Sequence, residues 1–322
     1  MFWENKKVLV TGGEGFIGYN IALKLKSLGA IVTITEHSNG FDSGFHVEDG
    51  FNVLPCDLLK QKDCMYIARD KDVVFMCAAV SHGAKFIKEN PLAMVTPNVI
   101  MNAQMLDASF SSGVNKFVFI SSSAAYPDTG DTPTKEDDIF KGDPYNVYYA
   151  PAWMKRYAEI MCRTYTEKIQ NAMQCIVIRP SNLFGPYDNF DPELSHVTAS
   201  LIRKIAERLN PLEIWGDGND IRDILYIEDF VDMTLQVIEK TKGYDPINIS
   251  YGEAYSIKQI LEFLCKIENF YPEITYNSNK PSMIPIRRID ATKARLIGIQ
   301  PKYNIIDALN KTLLWYKERC TK

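Results

Sequence analysis

The stretch Val8-Leu-Val-Thr-Gly12-Gly13-Glu14-Gly15-Phe16-Ile17-Gly18 constrains this chain more than any other. An apolar, β-prone run ends in a glycine turn, and Phe16–Leu28 then carries apolar residues at helical spacing as far as Gly29. Gly12 permits a tight turn after the strand, Gly15 lets a phosphate group approach the backbone, and Gly18 lets the helix lie close on the strand. The first helical turn, at Phe16 and Ile17, then presents backbone N–H groups to the pyrophosphate of a dinucleotide. The next strand, Ile31–Thr35, ends at Glu36. A carboxylate there accepts hydrogen bonds from ribose hydroxyls and repels a 2′-phosphate. Neither Arg nor Lys occurs between Gly12 and Leu23 or between Gly29 and Asp57, and Glu14 adds to the repulsion. The expected cofactor is therefore NAD rather than NADP.

The alternation continues through Phe51–Leu54, Val73–Met76, a helix over Val95–Phe110, Lys116–Ile120, a helix over Ala152–Glu167 and Gln174–Ile178. Short apolar strands separated by helices predict a parallel sheet covered on both faces, an α/β doubly wound, Rossmann-like fold. Asp57-Leu58 after the third strand is placed to meet an adenine amine. In Cys77-Ala78-Ala79-Val80 the small side chains suit passage under the pyrophosphate; at both places plain strand-end packing is the alternative. From Asn182 onward, loops rich in Pro, Gly, Asp and Asn separate shorter elements. The expected division is a cofactor domain over 1–180, to which 221–250 returns with late strands at Asp223–Tyr226 and Pro246–Ile249, and a smaller substrate domain over 181–220 and 251–322.

Composition excludes several classes. With 46% apolar and 24% charged residues, 322 residues can bury a sizeable core, and a net charge of −4 argues against a nucleic-acid-binding surface. The apolar runs are strand-sized, so no membrane partner or membrane span is expected. The chain enters a strand almost at once, leaving no room for a signal peptide. Seven cysteines, an odd number without a CxxC pair, fit reduced thiols in the cytoplasm better than disulfides or a metal site.

At Ser121-Ser-Ser-Ala-Ala-Tyr126-Pro the chain resembles the extended short-chain dehydrogenase/reductases of the nucleotide-sugar epimerase/dehydratase family, and among them the GDP-L-fucose synthases. The likeness continues at Ser181-Asn-Leu-Phe-Gly-Pro-Tyr-Asp-Asn-Phe-Asp191, Ser195-His-Val197, Leu201-Ile-Arg-Lys204, Trp215-Gly-Asp-Gly218, Arg222-Asp-Ile-Leu-Tyr226-Ile-Glu-Asp229 and Lys280-Pro281. It implies that Ser122 hydrogen-bonds the reacting sugar oxygen and that Ser123 lines the same pocket. It also implies that Asn182 and His196 face the sugar, Arg222 holds the nucleotide diphosphate, and two chains pair as a homodimer through Val95–Phe110 and Ala152–Glu167. Chemistry agrees in type, because a planar guanidinium suits phosphate and a hydroxyl beside a carbinol orients its proton. For Arg222 the alternative is an ion pair with Asp220 or Asp223.

Two departures from the family pattern matter. The family's Tyr-x-x-x-Lys is missing from Tyr148-Tyr149-Ala-Pro151-Ala-Trp153-Met-Lys155. Matching the lead-in selects Tyr149, with Trp153 in the lysine place; matching from Ser122 puts Pro151 in the tyrosine place and Lys155 in the lysine place. Proline suits a first helical turn, so the expectation is Tyr149 just outside the helix as acid/base, with Lys155 on the helix as the lysine that holds the cofactor ribose and tunes the phenol. The second departure is Ala124, where GDP-L-fucose synthases carry a cysteine that works with the histidine in epimerisation. The expected function is NAD-dependent oxidoreduction at C4 of a nucleotide sugar, GDP-linked and of manno type, hexose or heptose. The alternatives are an epimerase or dehydratase with transient oxidation, using His196 or Lys85 as an extra acid/base, and a catalytically silent nucleotide-sugar-binding protein.

Overall fold

The computed structural model describes residues 2–37, 50–81, 90, 92–279 and 283–320. Its main sheet contains β1 (Lys7–Thr11), β2 (Ile31–His37), β3 (Asn52–Cys56), β4 (Val73–Met76), β5 (Lys116–Ile120), β6 (Gln174–Pro180) and β11 (Ile247–Ile249). All pairings are parallel, in the order β11-β6-β5-β4-β1-β2-β3. The two-residue period of the strands explains both covering layers. Val8, Val10, Val73, Phe75, Val118 and Ile120 enter one core with Ile21, Leu25, Phe230 and Ile238. Their neighbours Leu9, Val74, Met76, Phe117 and Phe119 enter a second core with Ile67, Met105 and Ala158. The helices α1 (Phe16–Ser27) and α6 (Ile227–Lys240) thus cover one face, and α2 (Gln61–Ala68), α3 (Val95–Ser111) and α4 (Tyr149–Glu167) the other.

The remaining strands are short. β7 (Asn182–Phe184) pairs with β10 (Ile224–Tyr226), β8 (Leu212–Trp215) with β13 (Ile274–Asn277), and β9 (Ile221–Arg222) lies between β12 (Tyr255–Ser256) and β14 (Ile286–Arg287). Around them stand α5 (Val197–Ala206), α7 (Ile257–Glu268), α8 (Thr292–Leu296) and α9 (Ile305–Cys320). Pro246–Ile249 reaches the main sheet, as β11. Asp223–Tyr226 does not, because β10 takes its hydrogen bonds from β7. Leu201, Ile205, Leu261, Leu264, Leu309 and Leu313 continue the first core, so the small sheets rest on one face of the large one through shared apolar packing.

A buried polar network ties the site's supports together. Arg179 in β6 meets Glu159 in α4 at 2.5 and 3.0 Å, and Glu159 also accepts from Ser121 at 2.5 Å. Arg179 donates to the Tyr126 hydroxyl at 2.9 Å, which in turn donates to Asn248 in β11 at 2.6 Å. These bonds fix α4 against the ends of β5 and β6. All six cysteines with described side chains are free thiols.

Candidate active site

The order of the main sheet reverses between β1 and β4, and the crevice beyond their carboxyl ends is where ligands of such sheets bind. Gly12 ends β1 with φ +62°, and a Cβ on it would lie 2.8 Å from the Cα of Ala78. A Cβ on Gly13 would meet Ile34 at 2.4 Å, and one on Gly18 would meet the Gly12 carbonyl oxygen at 2.2 Å. The chain's own packing therefore demands three of these glycines. Gly15 is different, since its φ is an ordinary −86° and an added Cβ would come only to 3.3 Å of the Gly12 oxygen. Its bareness keeps open the space above the first turn of α1, where Phe16 and Ile17 begin a helix with no side-chain cap and no acidic residue. A helix start of that kind suits a pyrophosphate, so the residues present fit a dinucleotide.

Glu36 sits half-buried near the end of β2, opposite Pro55 of β3. Asp57 is engaged within the chain: it accepts from the Leu59 amide at 3.0 Å and pairs with Lys60 at 3.1 Å, which caps the approach to α2. Leu58 is buried beside it. Ala78 is held under Gly12 by its amide bond to Thr11 Oγ1 at 3.2 Å, and Ala79 is exposed in the crevice. Lys85 and Lys280-Pro281 lie outside the described residues.

At the end of β5, Ser122 Oγ accepts from the Ala124 amide at 3.1 Å, which leaves its proton to donate, and Ser123 is buried next to it. Lys155 reaches the same place from α4, with Nζ donating to the Ile120 carbonyl at 2.7 Å and lying 4.8 Å from the centre of the Phe119 ring. Burial lowers its pKa to about 8. Ser122 and Lys155 are thus brought together at one sheet end. Tyr149 is not. The helix starts at Tyr149 rather than after it, so this residue keeps helical phase and stands six positions before Lys155, about a third of a turn round the axis. It is 51% exposed and packs edge-on against Trp153 at 6.4 Å. Pro151 occupies the third helical position, where a missing N–H costs nothing because the first four are unbonded in any helix.

The facing wall comes from the small sheets. Asn182 at the start of β7 is exposed. His196 stands at the N-terminus of α5, where desolvation by the surrounding protein lowers the imidazole pKa. Arg222 forms the ion pair with Asp220 at 2.9 Å, and its other terminal nitrogen donates to the Ile221 and Pro285 carbonyls. Sequence reasoning missed two neighbours. Arg287 is the register partner of Arg222 on the next strand, buried against the Pro127 carbonyl at 2.9 Å. Tyr148 lies within the fields of Arg222, Arg287 and Asp220, with its phenol pKa raised chiefly by burial. The pairing of Ile286-Arg287 with β9 joins segments 65 positions apart, and no local signal announces it.

The family model of the NAD dependent epimerase/dehydratase family matches residues 8–250. The chain belongs to that family. NAD is the cofactor of this epimerase/dehydratase family member, as the glycine turn and the crevice geometry anticipate. It is 30% identical over 323 residues to the probable GDP-L-fucose synthase 1 of Oryza sativa subsp. japonica, covering 97% of this chain and 92% of that one. It is 27% identical to the GDP-mannose 3,5-epimerase 1 of Oryza sativa subsp. indica, over 100% of this chain and 85% of that one. Among solved structures it shares its fold with the UDP-glucose 4-epimerase of Thermotoga maritima, with a TM-score of 0.86, 24% identity, and coverage of 97% and 99%.

Proposed function

We propose that this family member is an NAD-dependent oxidoreductase acting at C4 of a GDP-linked manno-type sugar, hexose or heptose. The observation that carries the reading is that Ser122 and Lys155 both lie at the end of β5, while Asn182, His196 and Arg222 are carried by the small sheets and the start of α5. The first group handles a hydroxyl beside the dinucleotide; the second presents neutral and cationic donors to a sugar and its diphosphate. NAD, when bound, exchanges a hydride with the sugar carbon. Gly12, Gly15, Phe16, Ile17 and Gly18 hold its pyrophosphate, with Ala78 and Ala79 beneath, and Glu36 accepts from its adenosine ribose. The 30% identity to a probable GDP-L-fucose synthase supports the guanosine diphosphate and the manno configuration.

The likeness to a GDP-mannose 3,5-epimerase favours a second reading, epimerisation through transient oxidation. Against it, Ala124 has no proton to move, and His196 is left as the described candidate for a second acid/base. Incubation with NAD and GDP-mannose, GDP-manno-heptose and UDP-glucose, in deuterated water, separates the readings. The oxidoreductase reduces NAD with a GDP-sugar and takes no solvent deuterium at C3 or C5. Deuterium at either carbon would establish the epimerase instead, and no reaction with any sugar would overturn both.

The chain is also read as pairing with a second copy. Tyr149, Trp153, Tyr157 and Ile160 form an exposed apolar stripe on α4, beside α3.

A further inference from the structure

On the face of α4 that carries Lys155, the place one turn earlier belongs to Pro151, which has no proton to give. Of the nearby phenols, Tyr149 faces outward with Trp153, and Tyr148 is set among Arg222, Arg287 and Asp220 on the far wall. Among the described residues, the proton-bearing side chains that remain at the sheet end are Ser122, Ser123, Cys77 and Lys155. A serine hydroxyl is too weak a base for the task, and burial pushes the Cys77 thiol up to about 12, so it stays a thiol.

Lys155 is differently placed. Among the described residues its ammonium makes one hydrogen bond, to the Ile120 carbonyl, two residues before Ser122, and an ammonium carries two further donors. The titratable groups facing it are Cys77 from the end of β4 and Glu159 from its own helix, while β5 contributes only Phe119 and a carbonyl. Glu159 is committed to Arg179 and Ser121. Among the described residues no carboxylate therefore anchors the ammonium in its charged form, and burial brings it to about 8, where both forms are populated near neutrality.

We propose that Lys155 is itself the acid/base of the reaction, exchanging the proton of the sugar hydroxyl that Ser122 holds. The proposal rests on the oxidoreductase reading. In oxidation, the carbinol proton passes to the neutral Nζ as hydride leaves the carbon with its electron pair for oxidised NAD. The products are a ketone, reduced NAD and an ammonium that returns its proton to water. Reduction runs the same steps backwards.

Two measurements test it. On whichever GDP-sugar the enzyme turns over, Lys155→Met lowers kcat at least a thousandfold. Lys155→Arg, which keeps the cation but cannot lose its proton, lowers kcat at least a hundredfold. The wild-type oxidation rate rises with pH through about 8. Tyr149→Phe stays within threefold of wild type, and Tyr148→Phe raises KM while kcat stays within threefold. A Lys155→Arg enzyme retaining more than a tenth of kcat, or a hundredfold loss of kcat in either tyrosine variant, overturns the proposal. Independently of turnover, nitrogen-15 NMR of lysine side chains in the protein alone, assigned with Lys155→Arg, finds the Lys155 amine titrating near 8; titration near 10.5 overturns the proposal. Failure of the wild type to oxidise or reduce any nucleotide sugar would instead remove the oxidoreductase reading, whatever the amine does.

Discussion

Glu159 of α4 and Arg179 of β6 form a two-bond ion pair in which neither side chain is more than 2% exposed. Such a pair contributes little net stability against an apolar replacement, but removing one partner strands the other. Glu159→Ala is therefore expected to cost about 3–5 kcal/mol in urea unfolding, and the double variant Glu159→Met/Arg179→Met to recover much of that. A single-variant loss below about 1 kcal/mol would show that Arg179 finds another partner.

The glycines of the first turn separate into two kinds. Gly18→Ala drives a methyl to 2.2 Å from the Gly12 oxygen, so the turn itself must open and the protein loses stability. Gly15→Ala brings its methyl to a tight 3.3 Å from the same atom, which a shift of a few tenths of an ångström relieves, and should fold with a far smaller loss of Tm than Gly18→Ala. Its methyl instead occupies the cofactor space, and we expect NAD affinity to fall at least about tenfold by calorimetry. Unchanged affinity would move the pyrophosphate elsewhere.

Glu36, read as accepting from the adenosine ribose, would repel a 2′-phosphate. Glu36→Ala should narrow the preference for NAD over NADP by about 1–2 kcal/mol, read as the ratio of the two dissociation constants. An unaltered ratio would exclude this carboxylate from the ribose site.

Asp188 gives stability a pH dependence. It is 3% exposed, Oδ2 has no hydrogen-bond partner among the described residues, and burial pushes the carboxyl up to about 8 from 3.8. A folded pKa above the unfolded one means that stability is fully present below about pH 4 and is lost as pH rises towards 8. Asp188→Asn removes that loss, so its advantage over wild type should grow by at least about 2 kcal/mol between pH 5 and 8. Parallel stability profiles for the two proteins would contradict the assignment.

The cofactor half was legible because its signals are local: β1 and its glycines, and strands whose alternate residues feed two cores. The small sheets were not, because strands of two to four residues such as Ile221–Arg222 and Ile286–Arg287 have no periodicity to read and pair across long stretches of chain. Proline 151 misled for a specific reason. Its fit to a first helical turn suggests a helix over Ala152–Glu167, whereas any of the first-turn positions tolerates a missing N–H, and α4 begins three residues sooner, at Tyr149. That shift turned Tyr149 out of the crevice. Arg222 forms the ion pair with Asp220 that was its alternative reading, and it stands beside Arg287.

The hydride transfer proposed above, between C4 of a GDP-sugar and NAD, can be followed by its isotope. GDP-mannose, or the corresponding heptose, carrying deuterium at C4 can be mixed with the enzyme and NAD, and the dinucleotide recovered for mass spectrometry. The account predicts reduced NAD one mass unit heavier than with unlabelled sugar. Reduced NAD without the label would place the chemistry at another carbon and contradict it.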